Sequence, residues 1–309
     1  MREKPKKARD LYREVTDRVI KALEAGVGPW VRPWYSGAEH RNALSKRPYR
    51  GINILLLNLA YMERGFALPL WLTYREAKQL GGHVRKGEKG TTVVFWKILE
   101  KPEIDHEGQP ILDPETGEQR KVRIPFLRHY TVFNVEQCEG LKLKLEPTET
   151  EEVKTNKFEL AERILSLPRI RWGERACYNP SLDIITLPPK NRFGVPAAYY
   201  ATALHETVHW TGHESRLNRQ FGHRFGSEAY AFEELIAEMG SAFLGAHVGI
   251  PFEQVQHPEY IASWLKVLRN DKRAIFTAAR EAQKACDWLL SQAGIKAREE
   301  PEQVNELAA

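Results

Sequence analysis

Between Pro196 and Gly212 the chain reads PAAYYATALHETVHWTG, with a proline placed to start a helix, a glycine placed to end it, and His-Glu-x-x-His between them. Two histidines four residues apart project from the same helical face, so His205 and His209 can grip one cation. This feature constrains the fold more than any other, because two ligands are an unfinished site and a second element must cross the helix to complete it. Glu206 is rotated by about 100° from His205 on a helix of about 3.6 residues per turn, which aims it at an attacking water rather than at the ion.

Two ways of finishing the site compete. The pattern HExxHxxGxxH is met at Gly212 but fails at Ser215, where its last histidine belongs, and His213 arrives one residue early. The other way takes a glutamate from a following helix, and residues 228–244, EAYAFEELIAEMGSAFL, read as such a helix with Ala231, Leu235 and Ala242 on its packed face. Carboxylates inside it are costly unless paired or bound to a metal. Glu234 as third ligand, with Glu238 holding a ligand histidine from behind, satisfies both; Glu233, one residue of register away, is the alternative ligand.

Charge divides the chain in two. Residues 1–145 hold 27 Lys and Arg against 18 Asp and Glu, and the remainder holds 19 against 23, so the net +5 comes from a basic front and a mildly acidic rear. The polar, acidic stretch 146–157, EPTETEEVKTNK, reads as a linker between domains at 1–145 and 158–309. No run approaches the roughly 18 apolar residues of a membrane span, and MREKPKKARD lacks the apolar segment of a signal peptide, so a cytoplasmic protein without a membrane partner is expected. Cys138, Cys177 and Cys286 lack CxxC spacing and read as buried or partly buried thiols.

The front half reads as α+β. Apolar spacing predicts helices over 8–25 and 53–64, Thr73 caps a third, and TTVVFWKIL (91–99) and IPFLRHYTVFNV (124–135) are strands separated by a polar hairpin or loop. In GGHVRKGEKGTTVVFWK, Arg85, Lys86 and Lys89 alternate with glycines ahead of Phe95 and Trp96, an arrangement that suits single-stranded nucleic acid, with cations for phosphates and aromatics for stacking. The long loop 28–53 mixes Trp30, Trp34 and Tyr35 with arginines, and Arg47, Tyr49 and Arg50 are its candidates for ligand contact. Residues 259–293 read as one long helix or two, serving packing, and the final KAREEPEQVNELAA as a frayed end.

Taken together, HETVHWTGHESRLNR, FGSEAYAFEELIAEMGSAFL, WLTYREAKQLGGHVRKGEKGTTVVFWK and YTVFNVEQCEGL resemble the plasmid-encoded ArdC-type antirestriction proteins, related to the N-terminal region of TraC-type conjugative primases. The resemblance covers nearly the whole chain. It implies an N-terminal α+β single-stranded-DNA-binding domain followed by a mainly helical zincin-like domain of gluzincin type with a small sheet. It also implies protection of incoming plasmid DNA during conjugation. Carried onto this sequence, it makes His205 and His209 metal ligands, Glu206 the catalytic acid/base and Glu234 the third ligand. The chemistry implied is amide hydrolysis assisted by one divalent ion, zinc first and manganese or another divalent ion as alternatives, acting on DNA-bound proteins. Tyr199, Tyr200, Tyr230, His223 and His247 leave the oxyanion donor open. A DNA-shielding protein whose metal site is structural is the rival reading; a nuclease or primase fits less well, since such enzymes more often use carboxylate-rich two-metal sites.

Overall fold

A computed structural model describes residues 9–30, 39–144, 151–219, 228–250 and 258–295. Trp34, Tyr35, His223 and the last fourteen residues lie outside that description. The front half opens with α1 (Leu11–Glu24), started by the Asp10 side chain accepting from Arg13 N at 3.1 Å and burying Val15, Val19 and Leu23 along one face. After the short strand β1 (Arg41–Asn42), α2 (Ile52–Arg64) is buried over most of its length and stops at Gly65, whose φ of 64° is left-handed. Strand β2 (Leu70–Thr73) runs into α3 (Tyr74–Gln79), where Thr73 and Glu76 cap each other reciprocally. A two-residue strand β3 (His83–Val84) leads to the long pair β4 (Thr91–Pro102) and β5 (Lys121–Asn134), followed by β6 (Cys138–Glu139).

The main sheet has the order β1-β2-β5-β4. Strands β4 and β5 pair along their whole length, from Thr91 opposite Val132 to Pro102 opposite Lys121, whereas β2 pairs only with Val132, Phe133 and Asn134 of β5. Beyond that point the pair continues as a two-stranded ribbon. Just ahead of β4, Gly90 lets the chain lie close against β5, because a Cβ there would come 2.2 Å from Thr131 Cγ2. The outer edge of β4 is closed at Val94 by Asn53 of α2, whose carboxamide accepts from Val94 N at 2.8 Å and donates to Val94 O at 2.7 Å. Between the strands, bridges at Ile104–Pro110 and Leu112–Gln119 give the expected polar hairpin.

The second half begins with α4 (Glu151–Leu165), which takes in part of the segment expected as linker. Toward its end it buries Ala161, Ile164 and Leu165 in the core. A small sheet of order β7-β9-β8 follows: β7 (Ile170–Trp172), β8 (Cys177–Asn179) and β9 (Ile184–Leu187). Then come α5 (Pro196–Thr211), α6 (Glu228–Val248), α7 (Ile261–Asn270) and α8 (Ala274–Gln292), so the rear apolar stretch is two helices. Among the thiols, Cys286 is buried and Cys138 partly so, but Cys177 is exposed, contrary to expectation, on the edge strand β8.

One core serves both halves. Val15, Leu23, Trp30 and Leu55 from the front and Leu204, Leu235, Trp264 and Leu289 from the rear belong to a single cluster. Thr16 Oγ1 donates to Lys272 O at 2.7 Å, and Arg50 pairs with Asp287 at 2.5 Å across the same junction. The charge boundary is therefore not a boundary of the core. No helix among the described residues is long and apolar enough to cross a membrane.

Candidate metal centre

Helix α5 is set up as the sequence predicts, with extended Val195 before it, Pro196 in its first turn and Gly212 capping its end. It is crossed by α6, and the crossing depends on Gly240: a Cβ there would meet Val208 Cγ1 at 2.9 Å and Cγ2 at 3.0 Å. Val208 precedes His209, so the close approach of the two helices delivers the α6 carboxylates to the histidines. His205 Nε2 lies 3.2 Å from His209 Nε2 and 3.4 Å from Glu234 Oε2, and His209 Nε2 lies 3.6 Å from Glu234 Oε1.

These three residues could hold one ion: each offers a ligand atom, and the atoms all lie within 4.8 Å of one another. Metal–nitrogen bonds of about 2.0–2.1 Å in tetrahedral geometry place neighbouring ligand atoms about 3.3 Å apart, and the observed triangle has that size. The donor set fits in kind as well, since converging imidazole and carboxylate lone pairs repel unless a cation or a proton lies among them. All three side chains are buried, as is Glu206 at 6% exposure.

Glu233 takes a different part from its neighbour. Its Oε1 is 3.2 Å from His209 Nδ1, and both its oxygens receive Arg219, at 2.8 and 3.0 Å. Arg219 also donates to Thr211 Oγ1 at 2.8 Å and to Val208 O at 2.7 Å, tying the end of α5 to the carboxylate behind His209. Glu238, expected behind a ligand histidine, accepts from Trp30 Nε1 at 3.3 Å, and the carboxylate behind His209 is that of Glu233. Arg219 was missed, although a buried glutamate next to a ligand already called for a cation.

The electrostatics sort one proton among these groups. Burial pushes His205 down. His209 is raised, because Glu233 and Glu234 outweigh the burial that opposes it. Burial likewise opposes ionisation of both glutamates, yet Arg219 and His209 hold Glu233 low, and the two histidines hold Glu234 low. Without an ion, the proton therefore sits on His209.

Of the residues left open as oxyanion donors, Tyr230 stands beside the centre. Burial first, then Tyr260 and Glu234, raise its hydroxyl far above the usual range, and the hydroxyl oxygens of Tyr230 and Tyr260 lie 3.5 Å apart. Tyr200 instead donates to Glu162 at 2.7 Å, Tyr199 packs its ring on Phe193, and His247 faces Glu39. His213 turns to Ser215, at 2.8 Å.

The front candidates separate into displayed and internal groups. Lys86, Lys89 and Arg47 are exposed, Arg85 is paired with Glu88 at 2.8 Å, and Trp96 is half exposed. Arg50 is held by Asp287, and Tyr49 packs against the cluster of Leu57, Tyr61 and Trp71, so both turn inward. Phe95, on the strand after the basic turn, belongs to a wider aromatic surface. On one face of the ribbon, fixed by the pairs Phe95–Arg128 and Lys97–Phe126, Phe95 stacks on Tyr130 at 4.5 Å and 9°, and Arg128 lies 5.5 Å over Phe126. The period-two alternation of KVRIPFLRHYTVFN carried that signal.

An α+β front joined to a helical domain with a two-histidine, one-glutamate centre defines the class, and comparison with known proteins agrees. Residues 161–281 match the zincin-like metallopeptidase model, and residues 9–133 match the model of the N-terminal domain of anti-restriction factor ArdC. The chain belongs to the ArdC antirestriction family. It is similar to the metal-free crystal structure of the antirestriction ArdC protein from plasmid R388, with 42% identity, a TM-score of 0.73, and coverage of 94% of this chain and 100% of that one. The Mn(II)-bound structure of that protein matches at 41% identity and TM-score 0.71, covering 92% and 98%. A DNA primase TraC of Escherichia coli is 43% identical over 91% of this chain, which spans only 27% of the primase.

Proposed function

We propose that this cytoplasmic protein binds single-stranded DNA through residues 1–145 and holds one divalent ion, zinc or else manganese, on His205, His209 and Glu234 of residues 158–309, the two regions being connected through 146–157. We further propose that it protects incoming plasmid DNA from host restriction during conjugation. The buried convergence of those three ligand atoms carries the metal assignment. The crystallised antirestriction relative and its Mn(II)-bound form support the reading.

A bound ion supplies Lewis acidity to a scissile carbonyl and acidifies the attacking water. Glu206, next to His205, accepts the water's proton and passes it to the leaving amine. Tyr230 offers a hydroxyl donor to the developing oxyanion. On the front half, the Phe95–Tyr130 stack and Trp96 provide surfaces for bases, and Lys86, Lys89 and Arg47 provide cations for phosphates. Proteins bound on the DNA are the substrate class that this pairing serves.

Glu206→Gln tests the hydrolytic part. Ion binding and single-stranded-DNA binding stay at wild-type levels while cleavage of a DNA-bound protein is lost; retained cleavage excludes Glu206 as the base. The burial of all four side chains favours a second reading, in which the ion is structural and the protein shields DNA. Under that reading Glu206→Gln leaves plasmid transfer into a restricting recipient unchanged, whereas neutralising Arg85, Lys86 and Lys89 together abolishes it.

A further inference from the structure

We propose that Trp30, contributed by the front half, is a positioning residue of the metal centre; this rests on the metal assignment above. Two indoles grip α6 on either side of Glu234. Trp264 of α7 donates Nε1–H to the carbonyl of Ala231, three residues before Glu234, at 3.0 Å, and Trp30 donates Nε1–H to Glu238 Oε2, four residues after it, at 3.3 Å. The rings meet edge to face, with centroids 5.4 Å apart and planes at 78°. Both are wholly buried. Four residues correspond to about 6 Å of helix axis, so the turn that carries Glu234 is held immediately above and below.

The position of Trp30 is dictated from the front sheet. Trp71 of β2 donates its Nε1–H to His40 Nδ1 at 3.0 Å. An indole N–H can only donate, so Nδ1 accepts and the imidazole proton sits on Nε2, which donates to Asn58 Oδ1 at 2.8 Å. That leaves the Asn58 amide to donate to Pro29 O at 3.0 Å, next to Trp30. The chain Trp71–His40–Asn58–Pro29 thus has one polarity from sheet to clamp, and Trp71, His40, Asn58 and Trp30 are each 2% exposed or less. A second tie runs from Glu39, beside His40, to His247 Nδ1 of α6 at 3.1 Å. A metal centre responds to small displacements of its ligands, and α6 takes its place from residues that are not its own.

The test is ion affinity of the full chain for Mn(II) and Zn(II), by competition with a chromophoric chelator, together with the visible spectrum of the Co(II)-loaded protein. Trp30→Phe keeps a ring against Trp264 and loses the N–H; its affinity falls by about tenfold, the lower end of what partners behind the ligands contribute, and the Co(II) bands shift. Trp71→Phe, a milder change at the far end of the chain, lowers affinity about threefold and decides the matter if Trp30→Phe does not fold. Trp172→Phe, at a residue 61% exposed on β7, leaves both readouts unchanged. If folded Trp30→Phe and Trp71→Phe bind within twofold of wild type with its Co(II) spectrum, Trp30 is only a packing residue and the inference fails alone. A wild type that binds neither ion overturns the metal assignment and this inference with it.

Discussion

His209 sits between Glu233 on one side and the converging atoms of His205 and Glu234 on the other, so its proton and an ion compete for the same place. Its raised pKa keeps it protonated at neutral pH in the ion-free protein, and its Nε2 must lose that proton to ligate. Ion binding at pH 7 should therefore release about one proton, and affinity should weaken as pH falls. Calorimetry in buffers of different ionisation enthalpy measures the number released, and zero would contradict this assignment of the proton. Arg219→Ala should leave Glu233 buried without its guanidinium and destabilise the protein by about 3 kcal/mol, read from chemical denaturation; a change under about 1 kcal/mol would show that His209 alone suffices. The convergence of His205 and His209 was legible because a helix turns a spacing of four into a shared face, and Glu234 drew notice as a carboxylate on an apolar helix. Arg219, Tyr260 and Trp30 were not, because they reach the centre from other elements, and no local period records where those elements dock.

At the scale of elements, the α5–α6 crossing rests on a missing side chain. Gly240→Ala places a methyl against Val208, whose β-branched side chain has little freedom to yield, so a loss of about 1–3 kcal/mol is expected together with weaker ion binding. Val208→Ala in the same background should restore both, and failure to do so would mean that α6 can shift without disturbing its ligands. The ribbon makes a separate prediction. Phe95→Ala and Tyr130→Ala should each cost single-stranded-DNA affinity by about 1–3 kcal/mol while leaving ion affinity alone, as measured by fluorescence anisotropy with an oligothymidylate. Equal affinity in both variants would move the DNA face elsewhere. Strand positions were legible from β-branched and aromatic runs, but the placing of Tyr49 and Arg50 was not: their loop reads as displayed, and Arg50 turns in toward Asp287 of α8 while Tyr49 packs on Leu57, Tyr61 and Trp71.

For the molecule as a whole, the basic front and acidic rear suggested two bodies, yet their apolar residues close into one cluster. Charge composition reports what faces water, whereas a core shared between distant segments has no signature along the chain. The two halves should accordingly unfold together: tryptophan fluorescence, weighted to both regions, and release of a bound ion should give coincident thermal midpoints, and two separated transitions would show independent halves. Residues 158–309 alone would expose Trp264 and the faces of α7 and α8 on which Trp30, α1 and α2 lie, and are expected to aggregate. The shared core also governs how such a module can be passed between polypeptides. A cut at the charge boundary would leave two unsealed surfaces, so fusion to other domains preserves the unit only when both halves travel together, and the TraC primase carries a counterpart spanning 91% of this chain within a quarter of its own length.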